Sequence, residues 1–125
     1  MSATPTSTDL VLARVDLGPI DRIPPGEGQT FLVGEREIAV FRTREDTVYA
    51  TQARCPHKAG LLADGLVGGG KVICPLHSYK FDLATGTPLG NNCASLRTYR
   101  SEVTVERRVI VWVMQPTSSD WNTGA

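Results

Sequence analysis

The chain is poor in histidine, poor in cysteine and without an excess of either charge, and each shortage narrows what it does. Thirteen Lys and Arg balance thirteen Asp and Glu, so no general field draws it to nucleic acid or to an anionic membrane. The longest apolar run, Val109 to Met114, falls far short of a membrane span. Met1 to Asp9 carries neither a basic n-region nor an apolar h-region, which argues against a secretory signal and for a soluble, cytoplasmic protein. No Gly-rich turn joins a strand to a helix, so neither a nucleotide fingerprint nor a phosphate cradle is expected. The three cysteines are an odd number, and in a reducing compartment they read as ligands or buried thiols rather than a disulfide framework.

At 125 residues the chain has the size of one domain. Residues 1–9 and 115–125 lack periodicity and are expected to be flexible tails around a domain at 10–114. Trp121 in the second tail is expected either to dock or to hang free, whereas Trp112 reads as a strand residue. Alternation and β-branched residues predict strands near Val11 to Val15, Gln29 to Val33, Glu37 to Arg42, Thr47 to Gln52, Lys71 to Cys74, Ser78 to Leu83, Leu96 to Val105 and Val109 to Val113. Turn signals stand between them at Pro24-Pro25-Gly26, Arg44-Glu45-Asp46, Gly68-Gly69-Gly70, Thr85-Gly86 and Gly90-Asn91-Asn92. No amphipathic helix is evident, so the fold class is all-β, a sandwich or barrel.

What the chain does have is Cys55-Pro56-His57, a sixteen-residue spacer, and Cys74-Pro75-Leu76-His77. Its only two histidines and two of its three cysteines fall in these segments. Each segment offers one thiolate and one imidazole, donors that suit zinc, copper or iron–sulfur chemistry. Neither supplies a carboxylate for magnesium or calcium. The proline after each cysteine fixes a backbone angle and removes a donor, helping to hold each ligand pair in a preset loop. On donor types alone, structural zinc and an iron–sulfur centre both remain open.

The pattern C-P-H, spacer, C-P-L-H, followed by Phe81-Asp82 and the Thr85-Gly86 turn, resembles the Rieske [2Fe-2S] family. The resemblance implies one [2Fe-2S] cluster bound by Cys55, His57, Cys74 and His77, with both cysteines on one iron and both histidines on the other. It also implies an antiparallel β-sandwich with a smaller cluster-binding subdomain at about 54–81, where two loops present the cluster at one tip, shielded by Pro75, Leu76 and Pro88. High-potential members carry two further cysteines that clamp the loops, where this chain has Gly60 and Leu76. They also carry a Ser and a Tyr that donate to the cluster, where this chain has Tyr79 and Phe81. Fewer donors disfavour the reduced state, so a midpoint near the low end of the roughly −150 to +300 mV Rieske range is expected.

Within the family, Gly60 to Val67, Cys74 to Gly86, Leu89-Gly90-Asn91 and Leu96 to Tyr99 look most like the small subunit of assimilatory NAD(P)H-dependent nitrite reductases. That likeness implies an electron relay of nitrate assimilation, attached to a large sirohaem and flavin subunit and having no catalytic site of its own. Arg100 and the Arg107-Arg108 pair depart from it, since members often have a proline and an Asp-Gly turn there. A second reading is a Rieske ferredoxin that carries electrons from a reductase to a ring-hydroxylating oxygenase. A third, from another class, is a zinc-bound docking module. Among the remaining residues, Cys93 reads as an unreactive, partly buried thiol rather than a ligand. Arg54, Lys58 and Lys80 read as solvated charges, with a basic rim for an acidic partner as the alternative.

Overall fold

In the computed structural model the described residues are 10–56, 60–75 and 79–116. They form eleven strands and no α-helix: β1 (Leu10–Pro19), β2 (Gly28–Val33), β3 (Arg36–Arg42), β4 (Val48–Gln52), β5 (Leu66–Gly68), β6 (Lys71–Ile73), β7 (Lys80–Asp82), β8 (Pro88–Leu89), β9 (Thr98–Tyr99), β10 (Ser101–Val103) and β11 (Arg108–Pro116). Short 3-10 turns lie at Ile20–Arg22 and Leu62–Asp64. The strands make three antiparallel sheets, ordered β1-β11-β10, β2-β3-β4-β9 and β5-β6-β7-β8. The all-β expectation is met.

β3 organises the interior because it is apolar on both faces. In Ile38-Ala39-Val40-Phe41 all four residues are buried, and alternation sends successive side chains to opposite sides. Ile38 and Val40 join Ile20, Ile23, Val48, Ala50, Val109, Val111 and Val113 in a core against the β1-β11-β10 sheet. Ala39 and Phe41 join Leu62, Val72, Phe81, Leu83, Leu96, Cys55 and Cys74 in a second core against the β5–β8 sheet. A residue such as Phe41 contributes about 1.5–3 kcal/mol by leaving water.

The structure departs from the predicted strands where local signals are short. The predicted strand at Leu96 to Val105 is split into β9 and β10, which belong to different sheets. Between them the Arg100 carbonyl accepts from the Trp112 N–H at 3.0 Å, and the Arg100 guanidinium lies 4.4 Å from the Trp112 ring centroid. β5 and β8, of three and two residues, carry too little pattern to be predicted.

Candidate metal centre

Both cysteine segments are built the same way. Arg54 bridges Leu61 across the first, and Ile73 pairs with Lys80 across the second. Inside each pair the cysteine N–H donates to the carbonyl five residues on, Cys55 to Gly60 at 2.8 Å and Cys74 to Tyr79 at 2.7 Å. Two antiparallel pairs therefore end in two loops of equal length, each opened by a cysteine and followed at once by proline. This equivalence is invisible in the primary spacing, since the loops grow from different sheets.

The two thiols sit in the same buried cluster. Cys55 is 2% exposed and Cys74 1% exposed, among Phe81, Leu62, Leu83, Val72 and Leu96. The next residues turn outwards, because Pro56 and Pro75 are exposed. Each cysteine is thus held against the core at the start of its loop. His57, Lys58, Leu76 and His77 fall outside the described residues, so it is the cysteine half of the expected ligand set that the fold places in one cluster.

The supports of the loops were not legible beforehand. Gln52 anchors the first: its Nε2 donates to the Arg54 carbonyl at 2.7 Å while its Oε1 accepts from the Arg97 N–H at 2.7 Å. Arg54, considered for a basic rim, is instead paired with Glu37 at 3.0 Å, a contact that raises its pKa. Nothing in the spacing of Glu37 and Arg54 signals this pair; it exists because β3 and β4 bring them alongside. Gly65 is required by close approach, since a Cβ there would collide with the Ile73 carbonyl at the root of the second loop. Gly86 has φ +80° and lies against the Leu96 backbone in the same way.

Tyr79 is partly buried against the cysteine cluster, and Phe81 is fully buried within it, so the Phe81 position offers a ring and no donor. Pro88 lies opposite Phe81 on β8 and is half-buried. Cys93 packs against the same cluster, with its N–H held by the Asn91 Oδ1 at 2.9 Å. Burial pushes its thiol pKa up, and the neighbouring Cys55 adds to that rise. The partial burial expected of this thiol from the sequence is what is found.

This environment fits a soft, sulfur-bridged group. Two thiols lie in an apolar base, and the buried residues among those described include no carboxylate that would favour a hard cation. Burial also shields such a group from water.

Comparison with known proteins agrees. The model of the Rieske-like [2Fe-2S] domain matches residues 15–113. The ferredoxin component of the naphthalene 1,2-dioxygenase system of Pseudomonas aeruginosa is 32% identical over 100 residues, covering 77% of this chain and 92% of that protein. A solved chain described as the small subunit of an NADH-dependent nitrite reductase from Mycobacterium tuberculosis superposes with a TM-score of 0.75 at 27% identity, over 82% of this chain and 96% of that one. The ferredoxin of carbazole 1,9a-dioxygenase from Nocardioides aromaticivorans gives a TM-score of 0.71 at 31% identity, over 78% and 95%. The choice between zinc and iron–sulfur that the donor types left open is thereby made. The chain belongs to the Rieske-like [2Fe-2S] domain family and is an electron-transfer protein whose cofactor is a [2Fe-2S] cluster.

Proposed function

We propose that Cys55 and Cys74 hold one iron of the cluster and His57 and His77 the other, within a Rieske unit at 10–114 whose cluster-binding part is about 54–81. The observation that carries this is the pair of equivalent loops, each opened by a buried cysteine and each containing one of the chain's two histidines. When bound, the cluster accepts and returns one electron at a time. Replacing two thiolates by two neutral imidazoles makes it less negative than a plant-type centre and easier to reduce. The protein's own part is to exclude water through the apolar base, to fix the thiols through the two N–H to carbonyl closures, and to offer few donors.

The reading we favour for the whole system is the small subunit of a cytoplasmic NAD(P)H-dependent nitrite reductase in nitrate assimilation, passing electrons within an assembly whose large subunit carries sirohaem and flavin. The stretch from Gly60 to Tyr99 and the structural likeness to a nitrite reductase small subunit support it. A second reading has its own observation. The match to a dioxygenase ferredoxin over 92% of that protein supports a carrier between a reductase and a ring-hydroxylating oxygenase. Neither reading gives this chain a catalytic site.

Absorption and low-temperature EPR spectra of the oxidised and dithionite-reduced protein, with iron and zinc analysis, test the centre. Two irons per chain and the low average g-value of a histidine-ligated cluster are expected. A zinc-loaded or metal-free protein that resists anaerobic reconstitution would overturn the proposal. Mixing the reduced protein with a nitrite reductase large subunit and, separately, with a ring-hydroxylating oxygenase then separates the two systems by which one reoxidises it.

A further inference from the structure

The outward face of the β5–β8 sheet carries apolar surface that the core does not use. Cross-strand register places Leu66, Ile73, Lys80 and Leu89 in one row, with Gly68, Lys71 and Asp82 in a parallel row on the same face. The intervening row, Val67, Val72, Phe81 and Pro88, points to the core side. Leu66 is 72% exposed. A single exposed leucine is ordinary. Here it borders a hollow of about 220 Å³ lined by Leu66, Val67, Gly68, Lys71, Ile73 and Lys80.

The two lysines of this face have no carboxylate partner among the described residues. Lys71 Nζ reaches the Gly69 carbonyl at 3.3 Å, and no ion pair involves Lys80. Asp82 lies directly across from Lys71, but its Oδ1 is engaged by the N–H groups of Ala84 and Thr85 at 2.9 and 3.0 Å. The face is therefore apolar in its hollow, and its rim carries two lysines against the single carboxylate of Asp82. It also lies at the root of the second loop, since Ile73 immediately precedes Cys74 and Lys80 immediately follows Tyr79.

We propose that this face is the docking surface for an acidic redox protein, whose carboxylates engage Lys71 and Lys80 while an apolar side chain of the partner fills the hollow over Leu66 and Ile73. The inference rests on the electron-transfer reading. Docking here sets the partner beside the loop that carries Cys74 and His77. One electron passes between the cluster and the partner's redox centre, one being oxidised as the other is reduced, with no bond made or broken. Opposite charges at the rim set the encounter rate, and the apolar contact holds the complex.

The test uses the holoprotein, reduced and mixed in stopped flow with two oxidised protein acceptors of opposite charge, the acidic copper protein plastocyanin and the basic haem protein cytochrome c. With plastocyanin at low salt, Lys71→Glu/Lys80→Glu is expected to lower the second-order rate about tenfold. The deficit should vanish at high ionic strength, where the Debye length falls to about 3 Å. With cytochrome c the same variant should react faster than wild type. Leu66→Ser is expected to slow plastocyanin severalfold at any salt. Arg14→Glu/Arg36→Glu makes the same change of net charge on other strands and should change the plastocyanin rate less than twofold. Equal effects of the two double variants, or no effect of the lysine pair and Leu66, would overturn the docking surface. The two failures are distinguishable: a protein with no reducible cluster fails the electron-transfer reading, whereas variants with wild-type EPR spectra, potentials and rates fail the docking inference alone.

Discussion

Arg107 and Asp46, sixty-one residues apart in sequence, face each other across the fold with Arg107 Nη1 3.3 Å from the Asp46 carboxylate. Both have left-handed backbones, with φ 65° and 66°, and they are the only non-glycine residues among those described to do so. Asp46 turns the chain between β3 and β4 and also binds Arg42, whose buried guanidinium donates to the carbonyl of Ile23 at 2.8 Å. Arg107 turns the chain into β11, and its N–H is bonded to the Thr104 carbonyl at 2.9 Å. A left-handed side-chain-bearing residue costs roughly 1–2 kcal/mol. Arg107→Gly should therefore be more stable than Arg107→Ala by roughly 1 kcal/mol, because only the alanine keeps the strain after the ion pair is lost. Urea unfolding of the two variants measures the difference.

Asp46 also sets an acid dependence. The hydrogen bond from Arg42 holds its carboxyl below the ordinary value of 3.8, with Arg107 adding to the effect. A depressed carboxylate contributes stability above the unfolded-state pKa and loses it as pH falls through the folded value. Asp46→Asn should accordingly destabilise the protein most above pH 4, with the gap to wild type closing below it. Asp16, lowered by its hydrogen bonds from Arg108 and the Gly18 N–H, should behave alike. Denaturation midpoints across pH 2.5 to 6, taken as differences from wild type, check both.

Removing a proposed ligand should remove the spectrum. Each of His57→Ala, His77→Ala, Cys55→Ser and Cys74→Ser is expected to abolish the Rieske EPR signal. A variant that kept an unchanged spectrum and potential would refute the assignment at that position.

The buried Phe81 ring bears on potential. The wild-type midpoint is expected below about +100 mV, within the low part of the Rieske range. Phe81→Tyr introduces a hydroxyl among the cysteine cluster. A donor that favours the reduced state by about 1 kcal/mol raises a one-electron potential by roughly 40 mV. Redox titration followed by EPR reads the shift, and an unchanged midpoint would mean that the hydroxyl does not reach the cluster.

Gly65 packs its backbone against the Ile73 carbonyl at the root of the second loop. Gly65→Ala must push the Ile73 carbonyl away, a strain of about 1–3 kcal/mol. The expected results are a lower unfolding midpoint and faster loss of cluster absorbance in chelator, both absent from Gly68→Ala, where a Cβ meets nothing within 4 Å.

The sequence by itself determined the candidate ligands and their soft-donor character: thiols and imidazoles crowd into two short segments, and residue type and spacing are local properties that need no fold to be read. It also determined the strand character of β2, β3 and β4, because each carries enough alternating or continuous apolar residues to be distinctive. Tertiary structure alone decided that the two cysteine loops close in the same way, because that equivalence depends on Arg54 meeting Leu61 and Ile73 meeting Lys80. It decided that the run at Leu96 to Val105 divides between two sheets at Arg100, a matter of which neighbour each half finds. The same holds for the Glu37 partner of Arg54, the Asp46 partner of Arg107, and the placing of Leu66, Lys71 and Lys80 on one outward face. Each depends on which strands pair within a sheet or which sheets pack together, and neither is written in the local spacing of the residues.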